Sequence, residues 1–204
     1  MRRILASIAA VAALSACDTG APAGQMSLRA AEPAPERVDV SMRWSGRAGS
    51  EEWTQATLNA LDRHGVTILS RVPSDVTAYC PGYEGQGVEG RRALWAGFMS
   101  ALAKHESTYN PGAKGGGGKW LGLMQISPAT WRHYGCEGQM LDGADNMACA
   151  VKIMSRQVGR DNAVVGGSGA WRGVARDWAP LRNSSKRADI AGWTRSQSYC
   201  SVRG

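Results

Sequence analysis

The chain has 204 residues, a net charge of +7 and 43% hydrophobic residues, enough for one domain with attachments and a substantial core. Nineteen of its 24 basic residues are arginine; such a surface suits nucleic acid, an anionic membrane or an anionic polymer. No helix-turn-helix, zinc-finger or RNA-binding signature is present, so no nucleic-acid partner is expected. Twenty-six glycines and eight tryptophans beside a single phenylalanine imply many loops and a rigid aromatic set, most of it packed.

Residues 1–16 read as an export signal: Arg2 and Arg3 form the charged region, an apolar run spans 4–14, and small residues precede Cys17. The run is too short to span a membrane. Leu14-Ser15-Ala16-Cys17 resembles a bacterial lipobox, which implies diacylation of Cys17 and cleavage just before it. Residues 17–50 are then the lipidated cysteine and a flexible tether, rich in Ala, Pro and Gly with no sustained apolar period. The expected location is the periplasmic side of the cell envelope, membrane-anchored through the lipid.

Residues 51–87 are read as a helical extension packed on the core. Within it 51–64 is amphipathic, with Ser50 as N-cap, Trp53, Ala56, Leu58 and Leu61 as its apolar positions, and Gly65 at its end. Residues 66–72 read as a strand or buried turn, Ser74 caps a brief helix toward Cys80, and 81–90 is loop. The main helix is predicted from about 91 to 106, where Leu94, Trp95, Phe98, Leu102 and His105 fall on adjacent faces. Gly115 to Lys119 fail as a phosphate loop, because that motif needs glycine at Ala113 and Ser or Thr at Trp120. Ser127 caps a short helix that begins with Pro128 and stops at Gly135. A further helix covers 142–159, with Ala148, Val151, Ile153, Met154 and Val158 inward. Helical turns follow at 174–178 and 185–199.

The chemistry centres on Glu106. Pro111 bars helix continuation and pushes Asn110 out of the α region, so the helix stops shortly after Glu106. A carboxylate at a helix exit feels the negative end of the dipole, and Trp95, Phe98, Leu102 and Tyr109 can strip water from it. Both effects raise its pKa toward that of a general acid. Glu106-Ser107, then Asn110-Pro111, then Gly122-Leu123-Met124-Gln125-Ile126 with Pro128 and Thr130, and more weakly Asp145-Asn146-Met147, resemble the soluble lytic transglycosylase (SLT) domains, relatives of goose-type lysozyme. The resemblance covers roughly residues 90–180. It implies a mainly α, lysozyme-like single globular domain, its catalytic part over 88–204, behind the signal peptide and tether.

By that resemblance the substrate is the peptidoglycan glycan strand. Glu106 would act first as acid and then as base on the 6-hydroxyl of the same muramic acid, closing a 1,6-anhydro ring without water. Ser107, Met124, Gln125 and Ile126 would line the sugar subsites. Where the family has a Tyr-Asn-x-Gly segment whose tyrosine touches the glutamate, this chain reads Gly169-Ala170-Trp171-Arg172-Gly173. The rival readings are a non-catalytic peptidoglycan-binding or scaffolding lipoprotein and a hydrolytic goose-type lysozyme.

Four cysteines remain after Cys17, an even number in an exported chain, so two disulfides are expected. Of three connectivities the favoured one joins Cys136 with Cys149, across a short loop, and Cys80 with Cys200, pinning the C-terminus to the domain entry. There is no Cys-x-x-Cys, and His64, His105 and His133 lack zinc-binding spacing, so no metal or cofactor is expected.

Overall fold

The computed structural model describes residues 40–166 and 169–201. The export signal, Cys17 and most of the expected tether lie outside the described residues. Six α-helices appear among them: α1 (Ser50–His64), α2 (Val66–Ser70), α3 (Val88–Glu106), α4 (Pro128–His133), α5 (Gly143–Asp161) and α6 (Ser184–Arg195), with short 3₁₀ turns between. One antiparallel pair, β1 (Lys114–Gly115) with β2 (Trp120–Leu121), closes the glycine-rich segment into a hairpin.

The molecule is built around α3. Its sequence mixes small residues with Leu94, Trp95, Phe98, Met99 and Leu102, and twelve of its 19 residues are buried. A helix apolar on every side has to be enclosed by its neighbours. Helix α6 and the 3₁₀ turn Ser198–Cys200 enclose it from the C-terminal side, and α1 and α2 from the other. At Gly97 a side chain would run into the Tyr199 hydroxyl, so glycine here lets the C-terminal turn sit directly on the helix. Tyr79, Phe98, Trp95 and Tyr83 meet edge to face in succession, a favoured aromatic arrangement. The Trp95 indole donates to the Tyr83 hydroxyl, which donates to the Ile68 carbonyl, each at 2.9 Å.

Helix α1 lies along α5, where Trp53 presses against Gly143. Helix α5 begins at the Asp142 cap, whose carboxylate accepts from the Asp145 amide at 2.9 Å. Helix α4 begins at Ser127, which accepts from the Thr130 amide at 3.0 Å. Disulfides join Cys80 to Cys200 and Cys136 to Cys149, with Cα separations of 4.7 and 5.3 Å. The first ties the C-terminal turn to the segment before α3, and the second ties the end of α4 to α5.

Four local expectations are corrected. Residues 42–50, expected within the tether, are packed on the domain: Met42 and Trp44 are core residues, the Arg43 amide donates to the Ser100 hydroxyl at 2.9 Å, and Trp44 donates to Thr54 at 2.9 Å. Two apolar residues in a polar stretch make no period, so composition alone reads as coil. Ser50 is the first residue of α1 rather than its cap; Gly49, with φ of 80°, turns the chain into the helix. Residues 66–70 form a helix because Ile68 and Leu69 are buried together by α3 and α5, overriding the β-branched composition. Ser74 caps nothing. The neighbouring Asp75 carboxylate instead accepts from the amides of Val164, Val165 and Gly166 at 2.6 to 2.9 Å, fastening the loop after α5.

Candidate active site

Helix α3 ends at Glu106, and the Ser107 amide closes its last turn on the Ala103 carbonyl at 3.1 Å. Thr108 and Tyr109 then take left-handed backbone, φ 53° and 64°, before Pro111. Such a conformation is unusual for a β-branched residue and is held only where its surroundings insist on it. Here they do: Tyr109 is buried, and the Arg47 guanidinium lies over its ring, 5.2 Å from the centroid.

The residues around that helix end are fastened by Asp189 of α6. Its carboxylate takes a two-point contact from Arg43, at 2.6 and 2.9 Å, and lies 2.6 Å from His105 Nε2. The Arg43 guanidinium, against a smaller opposing effect of burial, holds Asp189 well below the usual carboxylate range. Three segments distant in sequence therefore meet next to Glu106.

Glu106 itself is unlike any other acid in the described residues. Its Oε1 is shut off from solvent and has no hydrogen-bond partner among them. Burial pushes its carboxyl up to about 7, and the Lys186 ammonium draws it partly back. Burial is thus the cause. The moderating cation is Lys186, one turn before Asp189 on α6, which no motif singled out. Trp171, 44% exposed, lies under the Arg187 guanidinium, and Arg172 is exposed with its side chain against Gly166. Neither is among the groups that shift Glu106. The 169–173 segment holds no tyrosine that could donate to it.

The Gln125 segment is a tight loop. Leu121 and Ile126 exchange amide-to-carbonyl hydrogen bonds at 3.0 Å, and the turn between them passes through Gly122 at φ 80° and Gln125 at φ 48°. A side chain at Gly122 would collide with Asn146, which is wholly buried beneath the loop. Asn146 accepts from the Met124 amide at 2.8 Å and donates to the carbonyls of Leu121 and Met140 at 3.1 and 2.9 Å. Trp178 donates to the Met124 carbonyl at 2.9 Å. A buried amide with every group satisfied specifies one arrangement of the loop. Sequence reasoning missed both supports, although Asn146 lies inside the weak Asp145-Asn146-Met147 signal.

Two of the expected sugar-contacting residues behave differently from the expectation. Met124 exposes nothing to solvent, and both its backbone groups are taken, so it holds the loop from beneath and does not line an open subsite. Gln125 spends both amide hydrogens on the Gly122 and Ala113 carbonyls, at 2.9 and 3.2 Å, which leaves its oxygen as the group free for a ligand. Ser107 stays beside Glu106 with its hydroxyl toward the Ala103 carbonyl at 3.4 Å. Gln125 and Ile126 line a recess of about 160 Å³ with Trp120, Ser127, Thr130 and Trp178. The Trp120 ring, 48% exposed, gives that recess an aromatic face of the kind on which sugars stack. The hairpin joins the two halves, since the Ala113 carbonyl after Pro111 accepts from both the Gly122 amide and Gln125. Among the described residues no three His, Cys, Asp or Glu side chains gather to hold a metal.

Residues 86–176 match the family model of the transglycosylase SLT domain. The search of curated proteins returned no match. Among solved structures, wild-type Bd0314 DslA (form 2) is similar with a TM-score of 0.72 and 28% identity, covering 79% of this chain and 98% of that one. Two glutamate-to-glutamine mutants of DslA align over the same shares, each with a TM-score of 0.71, at 28% and 27% identity. The domain match, over 91 of the 204 residues, and these likenesses make the chain similar to transglycosylase SLT domains on a lysozyme-like, mainly helical body.

Proposed function

We propose that this protein is a peptidoglycan lytic transglycosylase that cleaves the β-1,4 bond from N-acetylmuramic acid to N-acetylglucosamine, with Glu106 as its single acid and base. One observation carries the reading: a carboxyl at the end of α3, pushed to about 7 by burial, with an oxygen that has no partner among the described residues. A carboxyl in that state is partly protonated near neutral pH and unspent, which a general acid requires.

The proton on Glu106 passes to the glycosidic oxygen as the bond from that oxygen to muramic C1 breaks, and the glucosamine leaves as an alcohol. The carboxylate so formed takes the proton of the muramic 6-hydroxyl while that oxygen bonds to C1. Glu106 regains its proton, one bond replaces another, and no water is consumed. Asp189, the carboxylate tied in beside the end of α3, is spent on Arg43 and His105 and is not free to activate water. A water-using mechanism normally needs a second carboxylate to activate water or to serve as nucleophile. The 6-hydroxyl is already held by the substrate and needs no encounter. Asp177, which lines the Gln125 recess, is engaged by Gln157. Gln125 then accepts from a sugar hydroxyl or acetamide, with Ile126 and Trp120 beside it and Ser107 next to Glu106.

The export signal and lipobox extend the proposal to a lipoprotein anchored through Cys17 on the periplasmic side of the envelope. Mass spectrometry of muropeptides released from purified peptidoglycan tests the reaction, since anhydro ends are lighter by one water than hydrolysed ends. Glu106→Gln should abolish release while binding to the polymer survives. Reducing muramic ends from the wild type, or full activity in the variant, would overturn the mechanism.

A further inference from the structure

A second recess, of about 390 Å³, lies between the end of α1, the start of α2 and α5, lined by His64, Thr67, Tyr134, Lys152, Ser155 and Arg156. None of these residues has a part in the proposed reaction. Among the described residues, His64, Lys152 and Arg156 make no ion pair with a carboxylate. Lys152 spends one donor on the Gly135 carbonyl at 2.8 Å and keeps two. Tyr134 accepts from Gln157 at 2.9 Å, so its own hydroxyl proton is left to donate. Ser155 is 95% buried, and its hydroxyl oxygen has no hydrogen-bond partner among the described residues. Buried polar groups in folded proteins are nearly always satisfied, so an orphan in a ligand-sized recess points to a missing partner.

We propose that this recess is a binding site for an oxyanion, a carboxylate or phosphate group. Lys152 and Arg156 supply the charge, His64 adds a ring N–H and a further charge once protonated, and the Tyr134 and Ser155 hydroxyls supply neutral donors. Charge-assisted hydrogen bonds of this kind favour oxygen anions over chloride, which has no fork of acceptors to match Arg156. The charges facing His64 agree: burial, then Lys152 and Arg63, depress its imidazole below the ordinary value, against a smaller opposing pull from Glu137. A bound anion would relieve that excess of positive charge. Gln157 links it to the Gln125 recess, bonding Tyr134 of the one and Asp177 of the other.

The His64 imidazole reports occupancy by proton NMR, its signal assigned by loss in His64→Gln. Inorganic phosphate or acetate, at about 50 mM against sodium chloride of equal ionic strength, should move the His64 titration midpoint up by about 0.5 pH, a shift too large for screening differences alone. Arg156→Gln, at an exposed position, and Lys152→Met should each weaken binding about fivefold or more with an unchanged melting temperature. A muramyl peptide with a free carboxylate binding more tightly than acetate assigns the group to a peptide stem, and phosphate binding most tightly assigns it to a phosphoester. Equal midpoints in chloride, phosphate and acetate, or a shift that persists in both variants, would overturn the site. None of these outcomes depends on whether Glu106 is catalytic.

Discussion

Replacing Glu106 by glutamine should make the protein more stable, and only where the wild-type glutamate is charged. The carboxyl titrates near 7 in the fold against an ordinary 4.5, so the folded chain binds this proton more tightly than the unfolded chain does. Its contribution to stability is fully present below about 4.5, shrinks as pH rises, and is gone above about 7. The gap corresponds to about 3 kcal/mol of lost stability across that window. Glutamine keeps the size and never ionises, so the variant escapes the loss. Whatever the amide costs in place of a neutral carboxyl is the same at every pH. Thermal or urea melts at pH 4.5 and 8.5 isolate the effect: the variant's advantage should grow between them by about 3 kcal/mol, or roughly 6 to 12 °C for a domain of this size. The attraction of Lys186 is already contained in the value near 7. Parallel pH profiles for the two proteins would refute the claim that burial strains this carboxylate.

Wild-type activity should fall as pH rises through about 7, where the acid form is lost, and Lys186→Met should move that limb to higher pH because Lys186 holds the Glu106 value down; an unmoved limb in a rate profile on peptidoglycan would count against it. Asn146→Ala removes three hydrogen bonds beneath the Gln125 loop and should cost about 2 to 4 kcal/mol in a urea melt, together with most of the activity; a loss below about 1 kcal/mol would show that the loop holds itself. Gly97→Ala should destabilise by more than about 1 kcal/mol by melting temperature even though alanine is the better helix former, because the new methyl meets the Tyr199 hydroxyl. An unchanged or raised melting temperature would show that the C-terminal turn can step aside.

The helix ends were legible wherever a backbone rule acts locally. Pro111 announces the end of α3, Ser127 with Pro128 the start of α4, and Gly65 the end of α1. The candidate acid also stood out, since Glu106 stands at a helix exit and the Gly122 to Ile126 run follows it. What stayed hidden depends on partners far away in the chain. Lys186 is eighty residues from the carboxyl it moderates, and nothing in its own neighbourhood marks it. Gln125 reads as a sugar-binding amide until its two hydrogens are seen on the Gly122 and Ala113 carbonyls. Trp44 in a polar stretch looks like tether, and only its lodging beside Trp53 makes it core.

Both ends of the described chain finish on the same face of α3. The Tyr199 hydroxyl donates to the Ser41 carbonyl at 3.4 Å as it covers Gly97, and Cys200 is locked to Cys80. The Cys80–Cys200 bond thus closes a loop of 120 residues around the core, and reducing it leaves the turn that covers Gly97 held to α3 by packing and hydrogen bonds alone. The seal over the buried helix is therefore sensitive to the redox state of its surroundings, at a point where no other helix has to move.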